Sequence, residues 1–385
     1  MKKIISFLFF VIWVFPTYAE ESVWIISFEP MRMEMKGLDD HVGDVFTYKK
    51  VWKQDPVSGD TTTNYYVNYD PINLNMDAKA CFRGEINYRK NQWGIGFSGW
   101  FFNPYSKREG RVVTLQPDVG NFGVDPNGAE YKNGVRMWDH TIEPAYNALE
   151  PSKDSPVNYS VEGDFYIWTL EAFGIKTISA KENSYIDFKF GLKMGTLDHK
   201  QELEQTQQEY RENYYVWPSS MDLDKDIIYQ STSRANYGFM AGPVIGFEVN
   251  TRYKKIKISG FINQAILFGR VNYNCVFRNV EDTLYVDSNT GEIIDHDVNT
   301  FEFPFLKKES VSIPVTEFQF KVTYKMMENV FIGCAGFFSV WWNVPLAPKF
   351  SLPGDWYWAE GTGWKLRKDT LKFYGITPLL IEIFY

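Results

Sequence analysis

The stretch Leu371 to Tyr385 reads LKFYGITPLLIEIFY. In a β-strand successive side chains point to opposite faces, so Leu379, Ile381, Ile383 and Tyr385 share one face. Glu382 points the other way, between Leu380 and Phe384. An open edge this apolar invites aggregation in water, whereas a closed barrel in a membrane removes the edge and gives the apolar face to lipid. A terminal aromatic residue with apolar residues at every second position before it also resembles the assembly signal of outer-membrane barrels, with Leu379, Ile381, Ile383 and Tyr385 as its candidate residues.

Working outward from that strand, the same alternation recurs in hairpins. Phe82, Ile86 and Tyr88 alternate with Arg83, Glu85 and Asn87; after Arg89-Lys90-Asn91, Trp93, Ile95 and Phe97 alternate with Gly94, Gly96 and Ser98. Tyr166, Trp168 and Leu170 lie opposite Thr169 and Glu171. Ile186, Phe188, Phe190, Leu192 and Met194 lie opposite Asp187, Lys189, Gly191, Lys193 and Gly195. Tyr237, Phe239, Ile245 and Phe247 alternate with Gly238, Gly242, Gly246 and Glu248, and a strand from Ile256 to Tyr273 follows the turn Arg252–Lys255. Phe318, Phe320, Val322 and Tyr324 alternate with Glu317, Gln319, Lys321 and Thr323 before a last turn into Val330–Trp342. Near the start, Met31, Met33 and Met35 alternate with Arg32, Glu34 and Lys36.

Connections alternate long and short, which predicts an all-β, antiparallel, up-and-down transmembrane barrel of about ten strands, with eight or twelve as alternatives. Short turns would face the periplasm. Long loops, near 37–73, 103–157, 199–233, 277–309 and 344–368, would lie outside. One of them contains KQELEQTQQEYREN (200–213), which has the composition of a short helix.

Residues 1–19, MKKIISFLFFVIWVFPTYA, have the charged start, apolar run and small residue before Glu20 of a cleaved signal peptide, leaving 20–385 as one barrel domain. No later run is long and apolar enough for a spanning helix. The 18% aromatic share suits interfacial girdles. Lys+Arg of 40 against Asp+Glu of 48 becomes 38 against 48, or −10, once Lys2 and Lys3 are removed, which speaks against nucleic acid as a partner. Cys81, Cys275 and Cys334 are an odd, widely spaced set that supports neither a disulfide framework nor a zinc site.

The segments FRGEINYRKNQWGIGFSGWFF (82–102), YIWTLEAFGIKT (166–177), YIDFKFGLKMGTLDH (185–199), YGFMAGPVIGFEVN (237–250) and the closing strand resemble the alternating strands of the Legionella-type major outer membrane protein family. The resemblance implies a porin-like outer-membrane barrel and transfers no catalytic residues.

Candidate lumen residues are Arg83, Glu85, Glu171, Asp187, Lys189, Lys193, Glu248, Glu317 and Lys321. They are either a charged channel lining or a closed network that fills a narrow barrel by pairing. The four histidines each follow an aspartate, at Asp40-His41, Asp139-His140, Asp198-His199 and Asp295-His296. His41, His140, His199 and His296 are therefore the candidates for a metal or for acid–base chemistry at the outer rim. Adjacent strand residues face opposite ways, which weighs against Asp198 and His199 acting together. No phosphate loop, nucleophile elbow, HExxH or CxxC motif occurs; Gly94, Gly96, Gly242 and Gly246 fall on inward faces, where they relieve crowding.

The expectation is a non-enzymatic, cofactor-free barrel that lets small solutes pass through a charged lumen. Its partners would be outer-membrane lipid and lipopolysaccharide, the barrel-assembly machinery, and possible further copies of itself. The alternatives are an occluded structural or adhesive barrel with partner-binding loops, and a rim hydrolase.

Overall fold

The computed structural model describes residues 22–38, 41–54, 61–74, 76, 78–112, 124–125, 129–137, 140–142, 156–181, 183–216, 219–351 and 363–385. The expected signal peptide, Asp40 and Asp139 lie outside the described residues.

Alternation of small or polar with large apolar residues builds ten long strands: β1 (Ser22–Lys36), β2 (Lys79–Lys90), β3 (Trp93–Phe102), β4 (Val157–Lys181), β5 (Ser184–Val216), β6 (Ser219–Tyr253), β7 (Ile256–Asp287), β8 (Ile293–Met327), β9 (Val330–Ser351) and β10 (Gly363–Phe384). Each pairs antiparallel with the next, and β10 pairs back onto β1, so the sheet closes. At the seam Trp24 and Tyr385 exchange two backbone hydrogen bonds of 3.0 Å. Closure leaves no barrel edge at membrane height, as a lipid-facing sheet requires. A short strand, Tyr105–Val112, continues the line of β3 past Asn103-Pro104 and pairs with Val157–Asp164 of β4.

The outer face of the lower barrel is apolar. Trp93, Ile95, Phe97, Leu170, Phe190, Leu192, Phe239, Ile245, Ile262, Phe268, Phe318, Phe320 and Ile376 are all exposed there. On β5 this belt ends above Met194, where outward positions become Thr196, Asp198, Lys200 and Glu202. A crossing needs about nine to eleven residues. Strands β5 to β8 have 33, 35, 32 and 35 residues, so more than half of each rises beyond the belt.

Two sequence expectations change here. Much of 199–233 and 277–309, and residues 344–351 and 363–368 of the 344–368 stretch, continue as strand where loops were expected, and the segment at 200–213 is strand, with no helix. Leu197, His199, Gln201, Leu203, Gln205 and Gln207 are buried inward while Asp198, Lys200, Glu202 and Glu204 face out. The alternation is present but is one of polar against polar, invisible to hydropathy. The 37–73 and 103–157 connections also carry strands, at 41–54, 61–73 and 129–137, which form a small sheet with 124–125 and 140–142. Val42, Ile72 and Met137 of that sheet, with Leu74 just past its 61–73 strand, pack on Val157, Val161 and Leu203, covering the inner wall of β4 and β5.

Strand β9 pairs with β8 only up to Trp341, opposite Val315. Beyond that point it follows β10 alone, with register shifts between Trp341 and Val344 and between Leu346 and Lys349. Asn343 takes a φ of 54°, the left-handed conformation that Asn tolerates at a turn. The chain there bends into the barrel, burying Val344, Leu346, Ala347 and Phe350 completely.

Candidate functional site: the packed lumen

The lumen is filled in layers. In the lower network five cations, Arg83, Arg89, Lys189, Lys257 and Lys321, meet five carboxylates, Glu29, Glu85, Asp187, Glu248 and Glu382. Arg83 forms a 2.7 Å pair with Glu29 and a 3.0 Å pair with Glu85. Lys321 reaches across from β8 to Glu29 at 2.7 Å and to Glu85 at 3.5 Å. Lys189 joins Glu85 at 3.4 Å to Glu248 at 2.5 Å, and Arg89 closes on Asp187 at 2.5 Å. Lys257 holds Glu382 at 2.9 Å. The network is neutral as drawn, and its members come from β1, β2, β5, β6, β7, β8 and β10. It therefore crosses the lumen and does more than line it.

Above it sits a triad. The Lys193 ammonium lies 2.6 Å from Glu171 and 2.7 Å from Glu317, and the Trp100 indole N–H donates to the same Glu317 oxygen at 3.1 Å. Lys193 is 1% exposed and Glu29 is fully buried. Ions cost several kcal/mol each to strip of water, which only close partners on several sides offset. These two layers supply those partners. Glycines make room for them: a Cβ at Gly96 would collide with Asn87 and Phe173, and one at Gly246 with Asn263.

Higher still comes an apolar layer, where Met31, Met33, Trp100, Phe102, Phe165, Tyr237, Trp341 and Phe373 pack in one cluster. The Trp100 and Phe373 ring centroids are 5.4 Å apart. The inward-bent part of β9 seals the top. The Tyr237 hydroxyl donates to Pro345 O at 2.5 Å and the Ser233 hydroxyl to Pro348 O at 2.5 Å. The Ala347 N–H donates to His199 Nδ1 at 3.0 Å, while Arg367 donates to Ala347 O at 2.9 Å. Phe350 stacks on Phe277 with centroids 4.2 Å apart and planes 7° from parallel.

All the candidate lumen residues, Arg83, Glu85, Glu171, Asp187, Lys189, Lys193, Glu248, Glu317 and Lys321, thus point into the barrel and are ion-paired there. Sequence reasoning missed Glu29, Arg89, Lys257 and Glu382 as members, although alternation points Glu382 away from the apolar face of its strand. Glu29 shares parity with the buried Ser27 and Ile25, a usable signal; Arg89 sits beside a turn, where alternation fades. Of the terminal strand, Leu379 and Tyr385 are exposed on the outer face, Ile381 and Ile383 are half-buried, and Leu380 and Glu382 are buried.

The aspartate–histidine neighbours do not converge among the described residues. Asp198 faces outward and pairs with Arg234, while His199 is buried on the other face. His296 meets Asp282 at 2.8 Å and His41 meets Asp44 at 3.0 Å, both partly or largely exposed. No group of three or more metal-ligating side chains occurs among the described residues. His199 is held neutral: burial first, and then the Arg367 charge, push its pKa well below the usual histidine value. With Nδ1 accepting from Ala347, the proton of the neutral ring is on Nε2.

No protein-family profile matches this sequence, and no curated protein matches it. Among solved structures, the outer membrane protease OmpT from Escherichia coli is similar over 97% of this chain and 99% of its own, at 10% identity and a TM-score of 0.35. The Pseudomonas putida toluene transporter TodX is similar over 95% of this chain and 90% of its own, at 7% identity and a TM-score of 0.21. OmpT of Vibrio cholerae, outer-membrane expressed, covers 96% of this chain and 99% of its own at 9% identity and a TM-score of 0.12. Likenesses this slight carry no argument about function. The closed sheet and its apolar belt carry the architecture on their own: the chain is a membrane-spanning, ten-stranded antiparallel β-barrel.

Proposed function

We propose that this chain is an outer-membrane barrel of the Legionella-type major outer membrane protein kind, exported by residues 1–19, whose lumen is occluded and whose work is done outside as a structural or adhesive surface protein. One observation carries the reading. The inward charges that would line a pore meet each other at ion-pair distance and are shut off from water, with Lys193 at 1% exposure. A solute path needs exposed lining groups. The upper halves of β5 to β8 supply the outer surface for a partner. The reading is non-catalytic, since the described Asp and His groups diverge.

Passive passage of small solutes is the second reading. It is favoured by the way the plug is held: above Trp341 the inward-bent part of β9 pairs only with β10, at Val344–Leu346 and Lys349–Ser351, and side-chain bonds hold the rest. A segment so tethered is the part that a gated channel would move. Single-channel recording of refolded protein in a planar bilayer separates the two. A folded, β-rich protein that stays silent supports the occluded barrel; stable conductance steps of the wild type would overturn it and leave the channel.

A further inference from the structure

The end of the barrel carrying the short turns is basic, although the whole chain has a formal net charge of −8. Lys90, Lys181, Arg252, Lys254 and Lys255 are exposed on these turns, and Lys176 and Lys325 are half-exposed beside them. None of these is ion-paired among the described residues. The carboxylates at this height, Asp187, Glu248 and Glu382, turn inward and are consumed by Arg89, Lys189 and Lys257. Glu328 is the single exposed carboxylate among the described turn residues, and Glu182 lies outside them.

The cations are also set at a defined height. Lys176 Nζ lies 4.3 Å from the Trp93 ring centroid, and Lys254 Nζ lies 5.4 Å from that of Tyr253. Lys255 Nζ lies 5.9 Å from the Tyr324 centroid. Trp93, Tyr253 and Tyr324 are themselves exposed, at the edge of the apolar belt. Amphipathic rings at a belt's edge sit at the headgroup level. Cations lying over their faces are therefore at phosphate height, and lysine stems reach along apolar surface to get there.

We propose that this rim is a collar for the anionic headgroups of phospholipids in the leaflet that the short turns face. The lumen consumes the acidic side chains at this end, and what remains for the membrane surface is positive. Each such cation near an anionic surface is worth about 1 kcal/mol, and the attraction is screened by salt. The proposal uses only the membrane-spanning fold, and holds whether or not the lumen conducts.

The test is spin-label lipid association with the full-length protein refolded in phosphatidylcholine vesicles. Spin-labelled phosphatidylglycerol is compared with spin-labelled phosphatidylcholine at the motionally restricted boundary. The expected result is a preference for the anionic lipid of about five-fold, equivalent to one effective cation contact, falling as salt is raised. The combined variant Lys90→Gln, Lys181→Gln, Lys254→Gln, Lys255→Gln should bring it near unity. Equal association of both lipids with the wild type, or a preference insensitive to salt, overturns the proposal even if the variant does not fold. A folded variant that keeps the full preference overturns it as well.

Discussion

The backbone N–H of Ala347 donates to Nδ1 of His199 at 3.0 Å, tying the inward bend of β9 to the opposite wall at β5. A protonated imidazole has no lone pair to accept that bond. It would also carry a charge in a buried place near Arg367, whose Nη2 donates to Gln201 at 3.2 Å. One titratable ring thus holds the plug only while neutral.

A pH dependence follows from that ring. The folded pKa of His199 lies well below its unfolded value near 6.5. The stabilisation is therefore present above pH about 6.5 and is lost as pH falls below it, because the unfolded chain then binds the extra proton. Urea unfolding followed by tryptophan fluorescence should show wild-type stability dropping between pH about 7.5 and 5.5. In His199→Gln, whose side-chain carbonyl also accepts the Ala347 N–H, the drop should shrink.

The Lys193 triad predicts a non-additive mutational effect. Lys193→Met leaves Glu171 and Glu317 facing each other without their ammonium. Removing one partner from a buried ionic group costs about 3–5 kcal/mol. Combining Lys193→Met with Glu171→Gln and Glu317→Gln should recover much of that loss. Equal urea midpoints for Lys193→Met and wild type would remove the triad from the barrel's stabilising core.

The lipid belt predicts a depth-dependent penalty. Ile245 is 55% exposed in the middle of the belt on β6. Ile245→Arg should cost about 2–4 kcal/mol in folded vesicle-embedded protein. Thr232→Arg, outward on the same strand above the belt, should stay within about 0.5 kcal/mol.

The cysteines report the same face chemically. Cys334 is exposed on the outer face of β9 at belt height, and Cys81 and Cys275 are buried. In vesicles a lipid-soluble maleimide should label about one thiol and a water-soluble one essentially none, while urea-unfolded protein reacts at three, counted by intact mass. Rapid labelling by the water-soluble reagent would place that face of β9 in water.

The physical origin of each feature decides where it was legible. Period-two alternation of Ile186, Phe188 and Phe190 against Asp187 and Lys189 is a local property, so the barrel class, the strand number and the inward set from Arg83 to Lys321 were open to reading along the chain. On β5 beyond Leu197 the alternation sets Gln against Glu or Lys, and hydropathy has nothing to separate. That is why the tall strands read as loops.

Sequence by itself determined a closed, lipid-facing sheet and which side chains enter its lumen, because facing follows from strand parity. Only the tertiary structure decided what they do there. Whether Lys193 lines water or sits between Glu171 and Glu317 depends on which strands curvature and register bring opposite one another. Whether Val344 to Phe350 runs up the wall or into the barrel depends on bulges and on partners as distant as His199 and Phe277. Contacts between residues far apart along the chain leave no periodic mark in it, and they are what separate a lined channel from a packed core.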